Sequence, residues 1–489
     1  MQMRKALYLL LALAPLSVSA QLTLSLDSCR AMALRGNKQM SVQQLKQDMA
    51  ADIRRSARTK YLPHVSAIGT YQYTSKPVSL LSGTTQAELS GLGSSLAPAL
   101  GALTQSLPIP IDPQVGAGIA GALNGVGQKI VDAFDTDTRN LFAGAVMVTQ
   151  PLFLGGSIVA MNHMADINEQ MAADQADFSR QTVIYAVDQA YWQVVSLKNK
   201  QQLAESYLQL VQKLDGDVQK MIREGVATRS DGLSVNVRVN EAEMTLQKVN
   251  DGLVLSRMLL CQMIGLPMDS DITLADEGNE ELRMKNEEFP AGFPTSNGAA
   301  KEYSFENRPE LRLLEHAVDL SRQTTNLLRA GNLPQLLLTG GYAVSNPNVL
   351  DGFQRKFSGF WNVGLMLRIP LWNWGDVMSK VRASKGATAI ANLELEEARE
   401  KIELQVNQSS FRVNEAGKRL IMAQASIDRA NENLRVANIG FSEGVITPTT
   451  VMEAQTAWLQ AQTQLIDAQI DARMSQVELQ KALGTLTTE

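Results

Sequence analysis

At 489 residues the chain exceeds one ordinary domain, and its two cysteines exclude a scaffold held by disulfides. The 45 Lys and Arg against 50 Asp and Glu leave a net charge of -5, evenly mixed, which excludes the basic footprint of a nucleic-acid binder. Aromatic residues are only 5%, while Ala, Gln, Leu and Glu crowd the middle and end, a composition that favours long helices over a conventional mixed core.

The chain opens with basic Arg4 and Lys5, an apolar run from Ala6 to Leu16, and Val18-Ser19-Ala20 as a small-x-small cleavage site. Residues 1–20 therefore read as a secretory signal peptide, with the mature chain starting near Gln21. No later run of about 18 apolar residues occurs, so any membrane crossing must be made of strands. "LDSC" at Leu26–Cys29 has the outline of a lipidation site, but it lies well past the apolar run and Asp27 fits it poorly. Cys29 and Cys261 could pair in an oxidising compartment; the reading taken is two separate, small, buried thiols.

The rest of the chain is a duplication. At an offset of 219 (444 − 225), "VTQPLFLGG" from Val148 lies on "LRIPLWNWG" from Leu367, Gly225 on Gly444, and Gly265 on Gly484. Upstream, "YLPHVSAIGTYQY" matches "NLPQLLLTGGYAV" at a different offset, 271 (334 − 63). The first copy therefore carries an insertion, and the segment of about 76–139, rich in Gly, Ala, Leu, Ser and Pro, is the place for it. Its run "LGSSLAPALGALTQSL" reads as an amphipathic lid.

Each copy repeats one order of elements. A helix stops at Leu-Pro (Pro63, Pro334), two strands follow, then a very long helix, a turn and a second long helix. This predicts a first repeat over 21–265, with strands near 65–75 and 141–153 and a tip at 224–228. The second repeat covers 307–489, with strands near 335–345 and 357–371 and a tip at 443–447. Residues 266–306 join the two as an equatorial linker. The clearest strand is "FSGFWNVGLMLRIPL": Phe357, Gly359, Trp361, Val363, Leu365, Leu367 and Ile369 share one face. Ser358, Asn362, Gly364 and Arg368 share the other, with Phe360 and Met366 as exceptions, a length that suits a tilted bilayer crossing. After Gly156 neither Gly nor Pro occurs until Gly216, a run of about 90 Å as helix.

The tips "EGVAT" and "EGVIT" explain themselves partly as turn chemistry. Gly225 and Gly444 suit the left-handed position after a helix. Thr228 or Thr447, or the following Ser230 and Thr449, can cap the return helix, and Pro448 suits a first helical position. The duplicated Val226 and Val445 point to a contact surface as well.

Four strands cannot close a membrane barrel, and open edges are not tolerated in hydrocarbon. Strands that insert must be shared between copies, giving eight from a pair of chains or twelve from three, and such a barrel would run on into a helical tube. These ordered segments, together with "LSLDSCRAMALRGN" and "RPELRLLEHAVDLSR", resemble the TolC-like outer membrane efflux factors over essentially the whole mature chain. The resemblance implies a mostly α fold with a membrane β-barrel, as a homotrimer: a twelve-stranded β-barrel continuous with a twelve-helix periplasmic α-barrel. It implies an exit duct for efflux or type I secretion in the outer membrane, with lipid around its strands and its tips docked on a periplasmic adaptor bound to an inner-membrane pump. Gly225, Val226, Thr228, Gly444, Val445 and Thr447 would form the docking tips. The family also places acids just inside the tip, which Asp231 and Glu453 match as gate candidates and Thr450 does not. The alternative is a periplasmic coiled-coil adaptor or scaffold, which would carry one helical hairpin rather than two.

No enzyme site, metal site or cofactor is read. "GAGIAG" at Gly116–Gly121 fits a G-x-G-x-x-G pattern but lacks a preceding strand. His64, His163 and His316 are scattered without ligand spacing, and no nucleophile elbow occurs.

Overall fold

The computed structural model describes residues 22–75, 81–106, 113–134, 139–278, 308–348 and 355–486. The signal-peptide reading and much of the linker lie outside the described residues. The chain forms two compact units, Met1–Ile53 with Ala165–Arg322 and Lys385–Glu489, and Arg54–Met164 with Gln323–Ser384.

The second unit is built on an antiparallel sheet in the order β2 (His64–Tyr73), β3 (Asn140–Leu154), β5 (Gln335–Asn346) and β6 (Ser358–Arg368). Register aligns rows across it: Ala67, Val146, Tyr342 and Trp361 form one, and Val65, Val148, Gly340 and Val363 another on the same face. Both rows are apolar and largely exposed, with Trp361 at 77% and Val363 at 68%. The opposite face alternates with Ser66, Thr70 and Gln72 on β2 and with Asn362 on β6, as period-two geometry demands. β2 and β6 each have one strand neighbour among the described residues.

β3 leaves the sheet through Gly155 and Gly156, both at positive φ (63° and 83°). A Cβ on Gly155 would lie 2.6 Å from Ala330 O, so backbone approaches backbone there and a side chain is barred. The β2–β3 connection carries three helices, α3 (Gly83–Ser90), α4 (Leu92–Ser106) and α5 (Pro113–Phe134). "GAGIAG" sits inside α5, in a helix interior rather than in a strand-to-helix turn.

The first unit holds most of two helical hairpins of equal dimensions. α6 (Ser157–Arg223) and α9 (Asp376–Ser442) each have 67 residues; α7 (Arg229–Ile264) and α10 (Pro448–Leu483) each have 36. At the helical rise these are about 100 Å and 54 Å long. Both return helices end at a left-handed glycine, Gly265 (φ 81°) and Gly484 (φ 71°). Around the middle of α6, a short parallel pair, β1 (Leu22–Leu24) with β4 (Ile272–Leu274), joins α1 (Leu26–Gly36) in one buried cluster with Val187, Tyr191 and Leu260. Gly265 takes Gly36 into backbone contact, where a Cβ would sit 3.2 Å from it.

Charge is buried in this clasp only where it is paired. Arg30 grips the fully buried Asp188 with both arms, Nε to Oδ1 at 2.7 Å and Nη2 to Oδ2 at 2.6 Å. Burial pushes the Asp188 carboxyl up, and the bidentate guanidinium opposes that shift. Tyr191 donates to Asp276, and Arg257 Nη2 to Glu277 at 2.8 Å. Cys29 and Cys261 are free thiols in the same cluster, and burial raises Cys29 to about 12, so it stays protonated and unreactive. Elsewhere His316 Nε2 lies 3.2 Å from Asp174 Oδ2, beside the Arg312–Asp174 pair at 2.7 Å.

Candidate functional site

The two turns at the ends of the long hairpins share one backbone solution. After α6, Val226 N donates to Met221 O at 2.8 Å and Gly225 N to Ile222 O at 3.1 Å. After α9, Val445 N donates to Gly440 O at 2.8 Å and Gly444 N to Phe441 O at 3.0 Å. These are the two bonds of the Schellman motif, and both glycines stand at φ 76°. A Cβ on either would meet nothing within 4 Å, so the backbone angle, not space, calls for glycine.

The return helices start on threonine caps. Thr228 Oγ1 accepts from Asp231 N at 3.2 Å and Thr447 Oγ1 from Thr450 N at 3.4 Å. Here the copies diverge. Asp231 reaches back to Thr228 N at 2.9 Å and accepts from Thr228 Oγ1 at 2.6 Å, closing a capping box. These hydrogen bonds, the side-chain one foremost, hold the Asp231 carboxyl below the usual range. The Thr450 side chain makes a hydroxyl contact with Thr447 Oγ1 at 3.1 Å and does not reach back to the Thr447 backbone as Asp231 does at tip one.

A second divergence is in bulk. At tip one Met221 stands five residues before Val226 and Ala227 is small; at the equivalent places of tip two stand Gly440 and Ile446. A Cβ on Gly440 would come 2.5 Å from Ile446 Cδ1, so the isoleucine fills the space the glycine leaves. Behind the tips, Tyr207, Val211, Leu214 and Val218 of α6 are buried with Val235 of α7 and with Val451 and Met452 of α10. Between α6, α9 and α10 lies a cavity of about 580 Å³, lined by Lys213, Asp217, Lys220, Phe441 and Gln455 among others. Gln455 is 1% exposed; its Nε2 donates to Leu210 O at 3.5 Å while its Oε1 is buried without a partner.

The structure thus gathers Gly225, Val226, Thr228 and Asp231 at one turn and Gly444, Val445 and Thr447 at the other. Val226 and Val445 are 70% and 82% exposed. Glu453 lies exposed on α10, beyond the turn and outside the hydrogen bonds that hold Asp231 to Thr228. Sequence reasoning missed the Met221/Ala227 to Gly440/Ile446 exchange and the buried Gln455. The exchange is visible once the copies are aligned, whereas the burial of a glutamine inside a helix leaves no local signal.

Comparison with known proteins fits this geometry. The family model described as outer membrane efflux protein matches residues 30–266 and 303–485. The outer membrane protein TolC of Vibrio cholerae serotype O1 is 22% identical over 355 residues, covering 72% of this chain and 78% of that protein. The alkaline protease secretion protein AprF of Pseudomonas aeruginosa is 22% identical over 270 residues, 55% of this chain and 54% of that protein. The Campylobacter jejuni CmeC outer membrane channel shares the fold, with a TM-score of 0.72 at 13% identity over 94% of this chain and 85% of that one. The chain belongs to the outer membrane efflux protein family. It is a protein of the outer membrane, in a family of channels rather than of enzymes.

Proposed function

We propose that the chain is the exit duct of a tripartite efflux or type I secretion system, conducting cargo passively from a periplasmic adaptor and inner-membrane pump to the outside. Three copies would each add β2, β3, β5 and β6 to a twelve-stranded barrel, β6 of one beside β2 of the next. The hairpins α6/α7 and α9/α10 would form a twelve-helix periplasmic tube, with repeats 21–265 and 307–489 as its equivalent halves. The observation that carries this reading is the sheet with one apolar, exposed face and, among the described residues, an unpaired edge on β2 and on β6. Such edges are tolerated in hydrocarbon only when a neighbour closes them. Similarity to a protease secretion protein and to TolC supports export as the task.

The tips are the adaptor surface in this reading: Gly225 and Gly444 hold the turns, Thr228 and Thr447 start the return helices, and Val226 and Val445 are offered outward. Asp231 and Glu453 would line the periplasmic entrance, each repeated three times, where like charges favour cations. Native mass measurement of the detergent-extracted protein tests the assembly, with a trimer expected. A monomer that carbonate strips from membranes would defeat both the barrel and the duct.

A further inference from the structure

The helical insertion and the sheet it interrupts both carry apolar surfaces that nothing covers among the described residues. Register places Ile68, Ala145, Ala343 and Phe360 in one row across the four strands. The next row towards the β2–β3 connection holds Thr70, Ala143 and Ser345. Small residues in the middle and bulk at the ends leave a hollow of about 330 Å³. It lies on the face opposite Val146, Tyr342 and Trp361, which makes it lumenal if the sheet belongs to a barrel. Barrel lumens are polar, so an apolar hollow there is a surface with an unmet partner.

α5 offers the match. Its inner side is fastened to α3 and α4: Gly93 N donates to Asn124 Oδ1 at 2.7 Å, and a Cβ on Gly127 would overlap the Leu89 carbonyl. Its outer side exposes Val115, Ile119, Val126, Ile130 and Phe134, recurring at the helical period. Across α3, α4 and α5 the charged residues are Glu88, Lys129 and Asp132, and at the helical period Asp132 falls on the side of α5 away from Ile130 and Phe134, so the stripe can be covered without burying that charge. The connection also limits what the stripe can reach. From Phe134 to Asn140, where β3 begins, the chain spans at most about 20 Å. Ala143 and Ala145 lie about 10 and 17 Å along β3 from that point.

We propose that α5 seats its Ile130–Phe134 end in the hollow of its own protomer, an internal plug at the outer mouth of the duct. The inference rests on the barrel reading, and in the structure the stripe stands uncovered, so the seated helix is a second position of the same element.

Full-length protein carrying Phe134→Cys and Ala145→Cys, assembled in detergent and oxidised, tests it. The native Cys29 and Cys261 are 0% exposed and do not compete. The expected product is a reducible cross-link within one chain, with conductance in planar bilayers falling on oxidation and recovering on reduction. Cross-links between chains would assign the stripe to a second copy and overturn the proposal. Absence of any cross-link, with both cysteines open to a maleimide, would assign it to lipid or solvent and overturn it too. Ile130→Asp checks the same point without cysteines: conductance is expected to rise, and an unchanged value counts against the plug. Wild-type protein that forms no channel at all would instead defeat the duct reading.

Discussion

Asp188→Ala removes the carboxylate that receives both arms of Arg30, at 2.7 and 2.6 Å. Asp188 is 0% exposed and Arg30 9%, so the guanidinium is left buried with little to replace its partner. Asp27, 3.3 Å from Arg30 Nη1, has a side chain 75% exposed and offers a weak, solvent-screened substitute. Breaking a buried pair from one side costs about 3–5 kcal/mol. Spread over the contact between α1 and α6, that amounts to roughly two to nearly four orders of magnitude in the local opening constant. Hydrogen exchange of the α1 amides in the assembled protein measures it directly. The double variant Arg30→Met with Asp188→Leu removes both charges and should recover most of the protection, because a matched apolar pair is nearly neutral in such places. Exchange in Asp188→Ala within about threefold of wild type, or a double variant as labile as the single, would refute the account of the clasp as a paired buried charge.

Val226→Asp with Val445→Asp should abolish export, read both as sensitivity to toxic compounds and as loss of secreted protein from the medium, while trimer yield and membrane insertion stay normal; export that persists would move the adaptor contact away from the tips. Thr228→Ala should cost about 1 kcal/mol at the start of α7, read as amide exchange at that turn. The Asp231 carboxyl is depressed in the folded state, so its capping contribution is complete above the unfolded value of about 3.9 and is lost as pH falls through its lower folded value. After correction for intrinsic exchange, protection at tip one should therefore be level from about pH 5 to 8 and weaken in stronger acid, while the Thr447–Thr450 tip shows no such step. Gly440→Met should strain tip two against Ile446 by about 1–3 kcal/mol, and adding Ile446→Ala should relieve it by reproducing tip one; thermal scans of both variants decide. Asp231→Ala with Glu453→Ala should leave docking intact and make the resting channel leakier or less cation-selective, which single-channel recordings would contradict by unchanged selectivity.

Much of this fold is legible in the sequence because its signals are local and long. Alternation from Phe357 to Ile369 survives as β6, and the Gly-Val-x-Thr turns give Schellman glycines and threonine caps. Phe360, an exception to that alternation, is one of the residues that wall the apolar hollow. The insertion was harder to read: its glycines look like loop composition, yet Gly93 and Gly127 are what let α3, α4 and α5 approach closely. The clasp around α6 was not legible at all. Arg30 and Asp188 are 158 residues apart, and β1 and β4 are three-residue strands whose pairing only tertiary packing selects.

The plain reading of the duplicated valines is that the turn itself needs them, since a Schellman motif commonly packs the residue after its glycine on the third residue before the helix end. The two tips separate that role from any other. At tip one the required partner exists, Met221, and Val226 still remains 70% exposed. At tip two the partner position is Gly440, which has no side chain, and the space beside it is filled by Ile446. Whatever Ile439 contributes from one residue earlier leaves Val445 82% exposed. The copies have therefore exchanged the bulk that supports each turn while keeping the same apolar group pointing into water at its end. A side chain left this exposed at both turns, held by glycines at φ 76°, is the ground for our proposal of an outside contact. That asymmetry supports the tips as the surface on which a partner docks.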